Sequence, residues 1–249
     1  MKLEFLHVSA GYTTPVLEDV CLSVDGGITV LLGRNGVGKS TLLGCLVGQN
    51  RYEGTITLDG AQLHRLKPGV RARHIAYLPQ NLPEPRVTVR ELVAFGRAPW
   101  LPLTGKLGKA DEAAVDAALE AVDLYMLGDR LVDTLSGGQR KKAFLAMVLA
   151  QETELVVLDE PTAHLDASSR FELMELLRSL CRETGKTFLV VLHELPEALA
   201  LADRVAVLAE KRLVFAGTPE ECLKEAVPET WFDIRITGSR ETGYAVLPK

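Results

Sequence analysis

The sequence contains few cysteines, and their spacing suggests neither a disulfide framework nor a metal cluster. Four occur among 249 residues, and no two of them stand in C-x-x-C spacing. Each lies in an apolar or helical stretch, so we interpret them as small core residues of a protein from a reducing compartment. They are Cys21, Cys45, Cys181 and Cys222.

Long apolar runs and an excess of one charge are also missing. No apolar run approaches the roughly 18 residues that a membrane-spanning helix needs, and Met1 to Ala10 has a strand pattern with charges rather than a secretory signal. The formal net charge is -5, and the one tight basic run, Arg140-Lys141-Lys142, fits a solvated helix face. We therefore expect no nucleic-acid partner. We also expect a soluble protein, in which any membrane role comes through a partner.

One glycine-rich stretch carries a specific chemical signal. Residues 33–41 read Gly-x-x-x-x-Gly-Lys-Ser-Thr, the phosphate-binding P-loop. The apolar run Ile28 to Leu32 precedes it as a buried strand, and leucines at helical spacing follow it until Gly48. Lys39 can reach the β- and γ-phosphates and the Ser40 hydroxyl can bind Mg²⁺. The predicted nucleotide-binding residues here are Gly33, Arg34, Asn35, Gly36, Val37, Gly38, Lys39, Ser40 and Thr41.

The order of predicted elements indicates an α/β fold with an inserted helical part. Strands with period-2 alternation surround the P-loop unit near the start, and the proline-rich passage Leu82 to Pro85 marks a boundary. No strand pattern occurs between Arg86 and Gln151, after which buried strands alternate with helices as in a mostly parallel sheet. We predict one domain: a P-loop (RecA-like) core with an antiparallel β-subdomain over 1–85 and 152–225, an all-helical subdomain over 86–151, and a hairpin tail over 226–249.

Four polar residues mark predicted helix starts in the second half of this pattern. Thr88, Ser136 and Thr218 are each followed three residues later by Glu or Gln, the spacing of a capping box. Asp166 precedes an amphipathic stretch and can cap it alone. The helix that begins at Ser136 presents exposed glycine amides at its positive end.

Several polar groups fall at the carboxyl ends of buried strands, where α/β folds place their ligands. They are Ser40, Gln80, Asp159, Glu160 and His193. Asp159 can hold Mg²⁺ through its water shell, and Glu160 can orient and deprotonate a water molecule that attacks phosphate. An acidic pair after four apolar residues is thus typical of a hydrolytic P-loop site.

Taken together, these motifs resemble the ATP-binding subunit of an ABC transporter over about residues 3–225. The most specific match is the signature Leu-Ser-Gly-Gly-Gln at 135–139, which follows a Q-loop at Gln80 and precedes the acidic strand end Leu155 to Glu160. A D-loop, His164-Leu165-Asp166, and a switch histidine, His193, complete the order. Glu194, in place of the commoner aspartate, and Arg140-Lys141-Lys142, in place of the usual Gln-Arg, are small departures.

The resemblance implies a mechanism in which two subunits meet head to tail around two ATP molecules with Mg²⁺. Ser136, Gly137, Gly138 and Gln139 of one subunit would contact the nucleotide on the P-loop of the other. Gln80 would touch Mg²⁺ or the attacking water, His193 the γ-phosphate, and Asp166 the second subunit. Tyr12 matches the family's adenine-stacking aromatic, and the alternative is that it simply packs on the sheet. The other histidines, His7, His64, His74 and His164, are interpreted as structural.

Within the family, two strings are similar to importers of ferric siderophores, haem and vitamin B12. They are Val89 to Arg97 and Asp159 to Asp166. This similarity implies integral membrane permease subunits as partners, an indirect link to a substrate-binding protein, and a peripheral place on the cytoplasmic face of the membrane.

Two other readings of the same motifs stay open. One is a soluble ABC ATPase that assembles a cofactor or a protein complex without transport. The other is a DNA-repair or chromosome ATPase, which the acidic chain and the lack of a long heptad insertion or zinc cysteines disfavour.

Overall fold

A computed structural model describes residues 1–11, 14–102 and 105–248 of the chain. In this part of the chain the strands are β1 (Lys2–Gly11), β2 (Pro15–Asp25), β3 (Ile28–Leu32), β4 (Tyr52–Leu58), β5 (Ala61–Gln62), β6 (Ile75–Leu78), β7 (Leu155–Asp159), β8 (Thr187–Val191), β9 (Arg204–Ala209), β10 (Arg212–Gly217), β11 (Ile234–Ser239) and β12 (Gly243–Pro248). The α-helices are α1 (Lys39–Val47), α2 (Pro68–Arg71), α3 (Val89–Ala94), α4 (Lys109–Ala121), α5 (Gly137–Ala150), α6 (Ala167–Thr184), α7 (Leu195–Leu201), α8 (Pro219–Lys224) and α9 (Val227–Trp231).

The chain divides into two compact units. The first comprises Met1–Leu66 together with Thr187–Lys249, and the second comprises Lys67–Lys186. The chain thus leaves the first unit once and returns to it. The predicted subdomain limits, 85/86 and 151/152, differ from these and stay a prediction.

The first unit contains two sheets and a hairpin. Strands β2, β1, β4 and β5 form an antiparallel sheet in that order. Strand β3 pairs in parallel with β8 on one side and with β9 on the other, and β10 pairs antiparallel with β9. Every residue of β3 and β8 is buried, which explains why both read as continuous apolar runs. Strands β11 and β12 form the hairpin predicted for the tail.

The second unit combines a parallel strand pair with packed helices. Strand β6 pairs with β7 from Ile75–Leu155 to Leu78–Leu158. Helices α3, α4 and α5 pack against one another, and each contributes an apolar stripe to their shared core. Helix α4 buries Ala114, Val115, Ala118 and Leu119, the helical-period residues expected from the sequence.

The four predicted helix caps are present. Thr88, Ser136 and Thr218 each accept a hydrogen bond from the backbone N–H three residues on, and each capping box is closed in return by the Glu or Gln side chain. The Asp166 side chain accepts a hydrogen bond from the Ser169 backbone N–H. These helix N-termini could be predicted from the sequence because a capping box involves only residues three positions apart.

Three details differ from the sequence prediction. Strand β10 was not predicted. It is short and only partly buried, and it forms by pairing with β9, a contact that its own sequence pattern does not indicate. The sequence has apolar residues at helical spacing from Asp111 to Leu124, but α4 extends from Lys109 to Ala121, so the last residues of that stretch lie beyond the helix. The interpretation of all four cysteines as core residues is wrong for two of them, since Cys21 is exposed and Cys181 is only partly buried.

Candidate nucleotide-binding and catalytic residues

The P-loop joins the buried strand β3 to helix α1, in the order that the sequence predicts. Gly38 stands directly before the helix with φ 108°, and a Cβ placed there would lie 2.7 Å from the Leu17 side chain. Only glycine fits this backbone conformation and this space. The loop therefore reaches the helix by a path that leaves the N-terminal amides of α1 without side-chain caps.

Lys39 is the buried charged group of this loop. It is only 5% exposed, and its ammonium donates to the carbonyls of Gly33 (2.8 Å) and Arg34 (3.3 Å). The lysine thus lies folded over its own loop, and its charge is held where phosphate oxygens are the natural counter-ions.

Arg34, the second residue of the loop, points to the C-terminal segment. Its guanidinium donates to the carboxylate of Asp233 (2.6 Å) and to the carbonyl of Trp231 (3.2 Å). The Arg34–Asp233 pair is exposed on both sides, so we expect it to contribute little to stability. Its effect is to tie one end of the P-loop to the segment after α9.

His193 lies close to the P-loop through the pairing of their strands. Leu31 on β3 is paired with Val191 on β8, and the Leu192 N–H donates to the Leu31 carbonyl (3.4 Å). Gly33 and His193 each follow this pair by two residues, at the same edge of the sheet. His193 itself is exposed, as a group that contacts a ligand must be.

In the second unit, the structure brings Gln80 and Glu160 together. The Gln80 side-chain amide donates to Oε2 of Glu160 at 2.5 Å. Glu160 is only 7% exposed and has a left-handed backbone, with φ 51°. A buried non-glycine residue held in this region of backbone space is typical of functional positions, where the surrounding structure fixes a strained geometry.

Asp159 precedes Glu160 at the end of β7 and is 2% exposed. Its Oδ2 accepts a hydrogen bond from the Tyr77 hydroxyl at 3.4 Å. Burial, together with the Asp159 charge, raises the pKa of the Tyr77 phenol well above its ordinary value, so Tyr77 stays a neutral donor. Sequence reasoning missed Tyr77; its place on β6, beside β7 in the sheet, becomes informative only once the strand pairing is known.

Lys141, like Tyr77, was not predicted as a site residue, because the sequence analysis interpreted it as part of a solvated helix face. Burial lowers the pKa of its ammonium, while the negative charge of Glu160 acts in the opposite direction. Lys141 and Gln80 line a cavity of about 260 Å³ whose wall also includes Gly137 of the signature and Leu165 of the D-loop. The structure therefore groups the Q-loop, the signature and the D-loop around one cavity within the second unit.

The signature forms the start of α5. Ser136 caps the helix, and its side chain and that of Gln139 close the box with hydrogen bonds of 3.3 and 3.2 Å. Ser136 and Gly137 are exposed. A helix of 14 residues with exposed amides at its first turn can bind an anion.

Asp166 lies at the start of α6, where the Ser169 backbone N–H and hydroxyl bind its carboxylate at 2.9 and 3.2 Å. These hydrogen bonds, the backbone one foremost, lower the pKa of Asp166 below its ordinary value. The side chain is exposed, so it can also contact a partner. Tyr12, the predicted adenine-stacking residue, lies outside the described residues.

Comparison with known proteins assigns the family. The family model described as ABC transporter matches residues 17–163. The ferric enterobactin transport ATP-binding protein of Escherichia coli (strain K12) is 43% identical over 223 residues, which cover 88% of this chain and 82% of that protein. A petrobactin import ATP-binding protein of Bacillus subtilis (strain 168) is 37% identical over 238 residues, 94% of each chain.

Two solved structures agree with the fold. One is a metal-chelate type ABC transporter in an inward-facing conformation, with a TM-score of 0.84, 24% identity, and coverage of 99% of this chain and 97% of that one. The other is cbiO1 of Clostridium perfringens, part of the ABC transporter complex cbiONQ, with a TM-score of 0.81, 29% identity, and coverage of 90% and 91%.

The fold and the P-loop define an ATP-binding hydrolase of the α/β class. The chain belongs to the ABC transporter family, as the resemblance of its motifs indicated. The predicted α/β fold class, with a P-loop core, antiparallel strands and a helical part, is confirmed. Among the described residues, no helix is both long and apolar enough to cross a membrane.

Proposed function

We propose that the chain is the ATP-hydrolysing subunit of an importer of iron–siderophore complexes and that it works as a head-to-tail dimer around two MgATP. The observation that carries the catalytic part is the buried Glu160, whose carboxylate is oriented by the 2.5 Å hydrogen bond from Gln80. A carboxylate fixed in this way suits a general base, because its position is set before the reaction begins.

In this proposal the first unit binds the nucleotide. The amides of residues 33–41 and the N-terminus of α1 bind the phosphates, and Lys39 neutralises the β- and γ-phosphate charge. His193 contacts the γ-phosphate from the end of the neighbouring strand β8. Tyr12 stacks on the adenine ring.

Glu160 then accepts the proton of the water that attacks the γ-phosphate. The O–H bond of water breaks, its oxygen bonds to the γ-phosphorus, and the bond from that phosphorus to the bridging oxygen breaks to release ADP and phosphate. Gln80 holds the carboxylate in place during this step.

The donors Ser40, Asp159 and Gln80 fit Mg²⁺, since hydroxyl, carboxylate and amide oxygens are the ligands this ion accepts beside water. Among these donors, Asp159 is the best positioned to bind the ion, because it is buried at a strand end and Tyr77 orients its Oδ2. Bound Mg²⁺ supplies positive charge to the phosphate oxygens.

The dimer in the proposal explains the exposed signature. Ser136, Gly137, Gly138 and Gln139 of one copy bind the γ-phosphate of the ATP on the P-loop of the other, through the N-terminus of α5. Asp166, exposed at the start of α6, contacts the second copy. ATP then joins the two copies, and hydrolysis separates them.

Transport needs partners that this chain does not supply. We propose integral membrane permease subunits as the direct partners and a substrate-binding protein as an indirect one. The chain then lies peripherally on the cytoplasmic face of the membrane. Two relatives are named for the transport of ferric enterobactin and the import of petrobactin. These names favour an iron–siderophore substrate over haem or cobalamin.

Uptake of a radiolabelled ferric siderophore by cells that lack the gene tests the proposal. We expect uptake to fall to background, to return with the wild-type gene, and to stay absent with Glu160→Gln. Uptake of an unrelated amino acid serves as the control. Normal siderophore uptake in the deletion strain, with the chain isolated in a complex of soluble proteins, would contradict the importer function and favour the assembly ATPase.

A further inference from the structure

Three residues with metal-binding side chains lie together on the antiparallel sheet of the first unit. They are His7 on β1 and Asp19 and Cys21 on β2, and their ligand atoms all lie within 4.8 Å of one another. All three are exposed. We propose that this cluster, here called the His7 cluster, is a binding site for Zn²⁺.

Two bulges build the cluster. Between the pairs Phe5–Leu22 and Val8–Val20, two residues of β1 lie opposite Cys21 alone, and in the next interval two residues of β2 lie opposite Ser9 alone. The extra residues include His7, with φ 53°, and Asp19, with φ 55°. The two bulges compensate each other, so the register of Phe5–Leu22 returns at Ala10–Leu17, and both side chains are exposed beside Cys21.

The neighbouring strand fits the first bulge. A Cβ on Gly54 of β4 would lie 2.2 Å from the His7 carbonyl oxygen, so only glycine allows β4 to pass this point. On the other strand, the Asp19 backbone N–H donates to the Ser9 hydroxyl at 3.0 Å. Both left-handed residues are thus held in place by contacts outside the cluster.

The distances suit a tetrahedral ion after a small adjustment. Two ligands bound at about 2.0–2.3 Å to one Zn²⁺ lie about 3.3–3.7 Å apart. Cys21 Sγ is already 3.7 Å from Nδ1 of His7. The Asp19 carboxylate is closer, at 2.6 Å from the same nitrogen, and must move by about 1 Å, which an exposed side chain allows.

The donor set selects the kind of ion. An imidazole nitrogen, a thiolate and a carboxylate together suit Zn²⁺, whereas Mg²⁺ and Ca²⁺ take oxygen ligands only. The His7 backbone N–H donates to Cys21 Sγ at 3.3 Å, a contact that orients the sulfur beside the imidazole. Three protein ligands leave a fourth position of the tetrahedron for water.

The other cysteines do not offer the same chemistry. Cys45 and Cys222 are buried, and burial raises the pKa of their thiols to about 11 and about 12. Cys181 is partly buried and contacts the Lys186 carbonyl. Cys21 is therefore the exposed sulfur among the four, and it is the one beside a histidine and a carboxylate.

Titration with Co²⁺, which replaces Zn²⁺ in tetrahedral sites and absorbs visible light, tests the proposal. The full chain is purified without a histidine tag, treated with chelator and reductant, and titrated without nucleotide. We expect one equivalent to bind with a tetrahedral spectrum and a sulfur-to-cobalt charge-transfer band, and one equivalent of Zn²⁺ to abolish both.

Substitutions identify the ligands. We expect Cys21→Ser to lose the charge-transfer band, and His7→Asn and Asp19→Asn to weaken Zn²⁺ binding at least about ten-fold. Asparagine is chosen because it tolerates the left-handed backbone at both positions. The matched control, Cys181→Ser with His64→Asn, removes one cysteine and one exposed histidine elsewhere and should bind like the wild type.

Several results would overturn the proposal. A wild-type protein that binds no Co²⁺ at micromolar concentration, a spectrum without the sulfur band, or an unchanged band in Cys21→Ser would each do so. If Cys21→Ser does not fold, Zn²⁺-dependent thermal stabilisation decides: it should occur in the wild type and be smaller in Asp19→Asn at the same Zn²⁺ concentration, and equal stabilisation in both would overturn the proposal. None of these outcomes depends on the proposed transport function.

Discussion

Glu160 shows how one residue is prepared for chemistry by its surroundings. Its carboxylate is buried, its backbone is left-handed, and its Oε2 accepts a hydrogen bond from Gln80. A buried carboxylate is costly unless it is paired, and here the Gln80 amide and the charge of Lys141 offset that cost. These contacts hold the carboxylate in a defined position, which is what the proposed role as general base requires.

Replacement of Glu160 by glutamine should separate ATP binding from ATP hydrolysis. The amide keeps the shape of the side chain but cannot accept the proton, so we expect turnover to fall by ~10²–10⁴-fold with ATP affinity retained. If hydrolysis separates the two copies, as proposed, the variant should form a stable dimer in MgATP, measurable by size-exclusion chromatography. Glu154→Gln, an exposed carboxylate just before the same strand, is the control and should behave like the wild type. Normal turnover in Glu160→Gln would remove this residue as the base.

Tyr12 gives a residue-scale prediction that rests on the sequence alone. If its ring stacks on adenine, Tyr12→Ala should weaken ATP binding by about 0.5–1.5 kcal/mol, whereas Tyr12→Phe keeps the ring and should bind normally. Titration with a fluorescent ATP analogue measures both. Equal affinities in the two variants would show that the ring does not stack on adenine, provided that circular dichroism shows both proteins folded.

At the scale of elements, the same capping box appears in different settings. Thr88 begins α3 and Ser136 begins α5, with matching reciprocal hydrogen bonds. The two caps perform the same structural task, but only Ser136 belongs to the proposed nucleotide contact. The pair therefore separates the structural role of a cap from its functional role.

Ser136→Ala and Thr88→Ala should have similar effects on stability and different effects on activity. Each removes a cap worth about 0.5–2 kcal/mol of unfolding free energy, measured by chemical denaturation. ATPase activity should fall at least roughly ten-fold in Ser136→Ala, because a donor to the γ-phosphate is lost, and stay near wild type in Thr88→Ala. A parallel loss of activity in both would mean that stability alone explains the effect.

Arg97 connects α4 to the segment after α5. It is 5% exposed, and its guanidinium donates to Asp111 (2.9 Å), to Glu152 (2.6 Å) and to the Ala150 carbonyl (2.6 Å). The Gly108 backbone N–H, and after it the Arg97 guanidinium, lower the pKa of Asp111 below its ordinary value. Such a buried cation needs its partners, since an unpaired one would be strongly destabilising.

Asp111→Asn should change how stability depends on pH. A carboxylate with a depressed pKa in the folded state contributes stability above its unfolded pKa, and this contribution is lost as the pH falls through the folded pKa. The wild type should thus be more stable than Asp111→Asn near pH 7, and the difference should shrink below about pH 4. Urea denaturation across this range measures it. Asp123→Asn, at an exposed residue after the same helix, is the control, and a pH-independent difference for Asp111→Asn would contradict the assignment.

Local signals in the sequence predicted more of these elements than long-range ones did. The caps and the Gly48 helix end depend on a few adjacent residues, and all are present. Strand β10 depends on pairing with β9, so its own sequence does not predict a strand. Cys21 was predicted as a core residue although its alternation with Val20 and Leu22 places it on the opposite face, where it is found.

At the scale of the whole chain, the residues proposed for catalysis are divided between the two compact units. The P-loop and His193 belong to the first unit, and Gln80, Glu160 and the signature belong to the second. The motifs themselves were all visible in the sequence. The contacts of Tyr77 and Lys141 were not, because neither residue belongs to a motif and both acquire a role only through the fold.

The segment after Gln80 is the feature through which ATP hydrolysis can reach a partner. It runs from the residue that holds Glu160 through a proline-stiffened passage to α3, and Glu84 within it forms an ion pair with Arg140 of the signature helix. Within the second unit, this segment therefore joins the residue that holds the proposed base to α3 and α5. The proposed coupling requires that the segment change conformation on hydrolysis, because only such an element can bias the conformation of a bound permease.

Arg86→Glu should weaken the contact with the permease without affecting the ATPase activity of the isolated chain. Arg86 is exposed and lies in this segment, whereas Glu84→Lys would also place a cation against Arg140 and disturb the signature helix. We expect the wild type to co-purify with integral membrane proteins from detergent-solubilised membranes, and Arg86→Glu to recover several-fold less of them. Arg182→Glu, an exposed arginine near the end of α6, is the charge-matched control and should recover the wild-type amount. If the wild type recovers soluble proteins instead, or if both variants recover equal amounts of permease, docking through this segment is wrong.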